Sequence, residues 1–254
     1  MTSVFDSPEF NQNLFFPRPD GLPVPHGSDE LHVEVEPGCQ VHLRRYPSPD
    51  ARFSLLYFHG NGEIVSDYDS LASHFNALGS ELTVCDYRGY GRSEGTPTLR
   101  NGLEDAKVIY RHLRGNSKLK SKVCVMGRSL GSAPAIELCV QFPEIACCVI
   151  ESGYADPIPL VERRGLRIDK TTPAEDAMFS NSHKIRLIEC PLLIMHGEED
   201  FLIHSQEARL NYENAGSTHK VLEILEGVGH NGMMMACDNA YFGSLTRFFK
   251  EIFI

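Results

Sequence analysis

Long apolar runs are missing from this chain. A membrane-spanning helix needs about 18 consecutive apolar residues, and the stretches from Phe53 to Phe58 and from Ala146 to Ile150 are among the longest present, so no transmembrane segment is expected. Positive charge is in deficit as well: 24 Lys and Arg stand against 34 Asp and Glu, a net charge of −10. A phosphate-backbone partner depends on clustered cations, which disfavours nucleic acid as a ligand. None of the eight cysteines falls in a CxxC pair, and no HExxH occurs among the eleven histidines. Zinc therefore has no support, and no metal or cofactor is called for. The opening residues carry Asp6 and Glu9 where a signal peptide needs positive charge, and Thr2 where myristoylation needs glycine, so an unprocessed amino end is expected. Cys85, Cys124, Cys147, Cys148 and Cys190 sit in or beside apolar runs, as free thiols do in a reducing cytoplasm.

What the chain does have is core-forming material: 254 residues, 42% of them hydrophobic and 23% charged, enough for one large globular domain over 1–254. Leu31 to Glu36 and Gln40 to Tyr46 alternate apolar and polar residues around Pro37 and Gly38, which predicts an amino-terminal antiparallel hairpin. Beyond it the alternation gives way to short continuous apolar runs, 53–58, 81–85, 122–126, 147–150, 191–195 and 221–225. Runs of this kind are strands buried on both faces. Between them, helical stripes recur at Tyr68, Leu71, Phe75 and Leu78, stopped by Gly79, at Leu99, Leu103, Ala106, Ile109 and Leu113, and at Tyr241, Leu245, Phe248 and Ile252. Alternating strand and helix predicts a mostly parallel central sheet with helices on both faces, because right-handed crossovers put them there. Residues 152–189, with prolines, a charged run and little periodicity, read as a short lid-like excursion over the carboxyl edge of the sheet.

The pentapeptide GxSxG occurs twice, around Ser93 and around Ser129. Context separates the two matches. A nucleophile elbow is a strained turn from strand to helix, in which the flanking glycines admit neighbouring backbone. Ser129 follows the 122–126 strand and precedes a helical stretch with Pro134 in its first turn, whereas Ser93 is followed by loop sequence. A serine nucleophile needs a histidine to take its proton and a carboxylate to orient that histidine. His230 follows the strand ending at Leu225, and Asp200 follows the strand ending at Met195, with Glu198 and Glu199 as its competitors. His219 precedes its strand and falls at the wrong edge; His196 and His204 are the remaining competitors of His230. The backbone N–H groups of Leu130 and of Asn61, in the sequence His59-Gly60-Asn61-Gly62, are the candidate oxyanion donors, with Gly62 behind Asn61.

The sequences HGNG at 59–62, DYRGYGRS at 86–93, GRSLG at 127–131, HGEED at 196–200 and Gly229-His230 occur in the order in which they appear in the α/β-hydrolase superfamily. Within it, the chain resembles compact serine hydrolases such as depalmitoylating thioesterases and serine aminopeptidase-like members. The resemblance implies an α/β-hydrolase fold and cleavage of an ester, thioester or amide of a small-molecule acyl substrate through an acyl-enzyme, without a cofactor. It also implies that Asp86 and Arg88 shape a turn after the fourth core strand. Two departures stand out. The 152–189 excursion is short for a full cap domain, and no cysteine-rich amino-terminal segment suggests lipid anchoring. Near the expected mouth, Arg163, Arg164, Arg167 and Lys170 read as a solvated face or as receivers of an anionic group, and Met233 to Met235 as core packing or as the wall of an acyl pocket.

Overall fold

The computed structural model describes residues 3–236 and 240–253; Thr2 lies outside them. An eight-stranded sheet runs in the order β1-β2-β4-β3-β5-β6-β7-β8. Its strands are β1 (Asp29–Glu36), β2 (Cys39–Tyr46), β3 (Phe53–Phe58), β4 (Ser80–Cys85), β5 (Val123–Arg128), β6 (Cys147–Glu151), β7 (Leu192–Gly197) and β8 (Lys220–Leu225). The β1–β2 hairpin is antiparallel and β2 pairs antiparallel with β4, while all later pairings are parallel. The expected mostly parallel sheet led by a hairpin is what forms.

The continuous apolar runs are explained by two cores, one on each face. Leu56, Phe58, Val123, Val125 and Ile150 pack into one of them, with α3 (Leu99–Gly115) and α4 (Ser132–Gln141). Leu55, Tyr57, Met126 and Val149 pack into the other, with α9 (Ala240–Phe253). Adjacent strand residues point to opposite faces, so a strand covered on both sides shows no alternation. The run at 221–225 is the exception. β8 is the edge strand of the sheet and only Leu225 in it is buried, so its apolar residues are half exposed rather than covered on both faces.

Two helical expectations need correction. The stripe from Tyr68 to Leu78 is not one helix but a 3-10 turn, Val65–Tyr68, followed by the short α2 (Ala72–Ala77). Residues 152–189 are more ordered than their composition suggested, holding α5 (Pro157–Glu162), α6 (Pro173–Phe179) and α7 (Asn181–Lys184). Pro157 and Pro173 start helices there instead of breaking them: at the first helical position a proline gives up an N–H that would have no partner. Thr172 and Glu175 add a reciprocal capping box. Against this excursion lies α1 (Pro8–Leu14), capped by Ser7 and not foreseen from the sequence. Phe5 packs on Phe179 with ring centroids 4.3 Å apart, and Ser3 Oγ donates to Glu175 at 2.5 Å. The remaining helix used below is α8 (Ser205–Asn214).

From β3 the chain steps to β4 on one side and then returns to β5 on the other. In such sheets the crevice at the carboxyl ends of the strands flanking the reversal is where ligands bind. The HGNG loop follows β3 and Ser129 follows β5, so both stand at this crevice.

Candidate active site

Ser129 caps β5 with φ at +52°, a left-handed backbone that a side chain rarely adopts, and it is 6% exposed. The two glycines around it permit the turn. A Cβ on Gly127 would overlap the Gly131 carbonyl, and one on Gly131 would overlap the Phe58 carbonyl of β3. Backbone cannot yield as the tip of a flexible side chain can. Gly131→Ala is therefore expected to cost about 3 kcal/mol or more of stability, seen as a large fall in melting temperature or loss of soluble protein. A melting temperature like that of the wild type would show that the elbow is looser than its packing implies.

Asp200 and His230 are brought together by neighbouring strands. They follow β7 and β8, and the two loops are laced by Glu198 N–H to Leu225 O at 2.9 Å and Glu199 N–H to Val228 O at 3.0 Å. His230 Nδ1 stands 2.6 Å from Asp200 Oδ2, and His230 Nε2 stands 3.1 Å from Ser129 Oγ. A carboxylate only accepts, so Nδ1 carries the proton toward Asp200, and in the neutral ring Nε2 is free to accept from the serine hydroxyl. Asp200 is buried and also accepts from Leu202 N–H at 2.9 Å and Ile203 N–H at 2.8 Å, while His196 Nε2 lies 3.2 Å from its Oδ2. Burial alone would raise the Asp200 carboxyl, but the hydrogen bonds from His196 and His230 overcome it and hold the group well below the ordinary carboxylate range.

The competing residues are placed elsewhere. Glu198, Glu199 and His204 are exposed, and His219 lies at the opposite edge, 3.6 Å from Glu251. Ser93 Oγ accepts from His42 N–H at 2.9 Å, fastening the turn after β4 to β2. Asp86 is buried between His42 Nδ1 and His59 Nε2, each at 3.1 Å, and Arg88 grips Asp105 with two 2.7 Å hydrogen bonds, as turn-shaping residues should.

Leu130 lies in the 3-10 turn directly after Ser129, and Asn61 in the loop after β3. The Asn61 side chain is committed to the amino-terminal segment: Nδ2 donates to Leu14 O at 2.6 Å, and Oδ1 accepts from Phe16 N–H at 2.9 Å and Tyr90 O–H at 2.6 Å. Two of the excursion cations also have internal work: Arg163 pairs with Glu207 at 2.6 Å, and Arg164 donates to Asn13 O at 2.9 Å while covering the Phe16 ring. The three methionines part company. Met233 is buried, Met235 is 86% exposed, and all three line a cavity of about 330 Å³ with Tyr68, Leu71 and Arg128. Among the described residues no cluster of three or more His, Cys, Asp and Glu side chains is arranged to hold a metal ion.

Sequence reasoning weighed His196 only as a competitor of His230, whereas the structure buries it beside Asp200, and it missed Arg128, the residue before Ser129. A charged residue ending an apolar strand, as at Arg128 and Glu151, is the one local signal that points to the latter group.

Comparison with known proteins agrees with this architecture. A family model described as serine aminopeptidase, S33, matches residues 49–158 and 155–234. Human alpha/beta hydrolase domain-containing protein 17B is 33% identical over 189 residues, 72% of this chain and 62% of that protein. The chain thus spans less than two thirds of the length of that relative. An esterase of Pyrococcus furiosus superposes with a TM-score of 0.79 at 17% identity, covering 94% of this chain and 100% of that one. A monoacylglycerol lipase of Paleococcus ferrophilus superposes with a TM-score of 0.64 at 17% identity, covering 83% and 98%.

Proposed function

Because the chain belongs to the serine aminopeptidase, S33 family of α/β hydrolases, we propose that it is a serine hydrolase that cleaves a carboxylic ester or thioester of a small acyl substrate. The observation that carries this reading is the unbroken chain of hydrogen bonds from Asp200 through His230 to Ser129 at the crevice. Ser129 Oγ attacks the carbonyl carbon as its proton passes to His230 Nε2, and Asp200 holds the ring in the required tautomer. Negative charge on the former carbonyl oxygen is met by the N–H groups of Leu130 and Asn61. The bond to the alcohol or thiol then breaks, with His230 returning the proton to the leaving group. Water, deprotonated by His230, attacks the acyl-enzyme and releases the acid and the free serine. A reducing, cytoplasmic setting is part of this reading, supported by cysteines that lie in or beside apolar runs.

Amide hydrolysis uses the same groups, and the family description favours it as the second reading. A fluorophosphonate probe with mass mapping should label Ser129 in the wild type; absence of label and of any hydrolysis would mean a noncatalytic relative. Substrate choice is then read from kcat/KM on p-nitrophenyl esters from acetate to palmitate, in monodisperse solution, beside aminoacyl amides. An apolar cleft gains about 0.8 kcal/mol per buried methylene until the chain outruns its wall. The short helices α5 to α7 supply a limited wall, so the series is expected to peak at short to medium acyl chains and fall for palmitoyl. A steady rise to palmitate would overturn the short-wall argument, and cleavage of amides alone would establish the peptidase reading.

A further inference from the structure

Four segments of chain that are far apart in sequence meet at one buried guanidinium. Arg128, the last residue of β5 and 6% exposed, makes an ion pair through Nη1 with Glu63, in the loop after β3. Its Nε donates to Glu151 Oε1, at the end of β6, at 3.1 Å. Its Nη2 donates to His230 O and to Asn231 Oδ1, each at 3.0 Å. Both carboxylates are themselves anchored. Glu63 Oε2 accepts from Gly60 N–H and from Tyr68 O–H, each at 2.8 Å, and Glu151 Oε2 accepts from Tyr241 O–H at 2.7 Å and Tyr57 O–H at 3.3 Å.

The loop that carries His230 needs such an anchor. Gly227, Gly229 and Gly232 leave its backbone with wide freedom. The imidazole stands wherever the main chain of His230 puts it, and the bond from Arg128 Nη2 goes to that residue's own carbonyl. A buried cation is tolerable only when its partners compensate the lost hydration, and here two carboxylates do so. The planar fork of arginine serves several acceptors at fixed angles, which a lysine ammonium cannot reproduce.

We propose that Arg128 is a positioning residue for the hydrolytic reaction: held by Glu63 and Glu151, it pins the main chain at His230 so that Nε2 stays within hydrogen-bond reach of Ser129 Oγ. The proposal rests on the serine-hydrolase reading of the same site. It also ties the HGNG loop to the histidine loop, since Glu63 joins Arg128 to Gly60 N–H.

The test compares wild type, Arg128→Lys and Arg128→Ala on the best ester of the acyl series, with melting temperature and fluorophosphonate labelling rate measured on each. Arg128→Lys keeps a cation between the two carboxylates but cannot hold the same set of acceptors. Misplacement of a reacting group by about 1 Å costs on the order of 10²-fold, so kcat should fall about 10- to 100-fold with KM nearly unchanged, and labelling of Ser129 should slow in parallel. Added methylguanidinium should restore part of the activity of Arg128→Ala and none to Ser129→Ala. If Arg128→Lys fails to fold, Glu151→Gln, which keeps the acceptor's shape but not its charge, takes its place with the same expected split between kcat and KM. A folded variant with wild-type kcat and labelling rate, or one changed only in KM, overturns the proposal. A wild type that neither hydrolyses nor labels overturns the serine-hydrolase reading instead, so the two failures are distinct.

Discussion

Ser129→Ala should leave a folded protein whose turnover is lower by about 10⁴- to 10⁶-fold, the scale on which loss of an activated nucleophile acts. The size of the effect follows from how the side chain is held. Ser129 Oγ has His230 Nε2 at 3.1 Å, and no methyl group can replace the attacking atom. Stability should change little, because alanine carries the same Cβ as serine, so the backbone at +52° is equally strained in both, and it adds no bulk. Ser93→Ala is the control. It removes the acceptor for His42 N–H, a loss of about 1 kcal/mol of stability, and should leave kcat near that of the wild type. The measurements are kcat, melting temperature and fluorophosphonate labelling on both variants. A severe loss of activity at Ser93 with none at Ser129 would mean that the strand-to-helix context was misread.

Asp200→Asn should lower turnover by about 10⁴-fold, because an amide at Oδ2 presents a donor to Nδ1 and favours the wrong tautomer of His230. The substitution should cost stability as well, because Asp200 is buried and accepts from Leu202, Ile203 and His230, with His196 beside it. The amide retains one oxygen for the Leu202 and Ile203 N–H groups and loses the acceptor that faces the two histidines. A cost of about 1 to 3 kcal/mol is therefore expected, visible as a lower melting temperature. Since the folded carboxyl lies below its ordinary range, the stability it contributes is present above the ordinary carboxylate pKa and is lost as pH falls through the folded value. The gap in stability between wild type and Asp200→Asn should accordingly narrow on acidification. Glu198→Gln and Glu199→Gln, at exposed positions, should be mild in both respects. Severe loss at either glutamate, with Asp200→Asn near wild type, would move the role to that residue.

Much of this molecule is written locally. The apolar runs of β3, β5 and β6 were readable because residues covered on both faces must nearly all be apolar. The turn at Ser129 was readable because only glycine tolerates backbone packed against its α-carbon on both sides. Asp200 and His230 were legible from position, each following the end of an apolar run, and β7 and β8 then lie side by side. Other features had no local trace. Pro157 and Pro173 carry the same residue type whether a helix starts or stops, and only the chain around them decided that α5 and α6 begin there. The edge position of β8 depends on where its neighbours stop, which its own residues do not record. Asn61 reads as part of a turn, yet its side chain is spoken for by Leu14 and Phe16 once the amino-terminal segment packs against the loop after β3. Arg128, Glu63, Glu151 and the His230 carbonyl meet only after four strands have aligned. A sequence displays periodicity, caps and glycines because those constraints act between near neighbours, whereas a buried ion pair is a constraint between distant residues whose partners exist only when packing has removed the water between them.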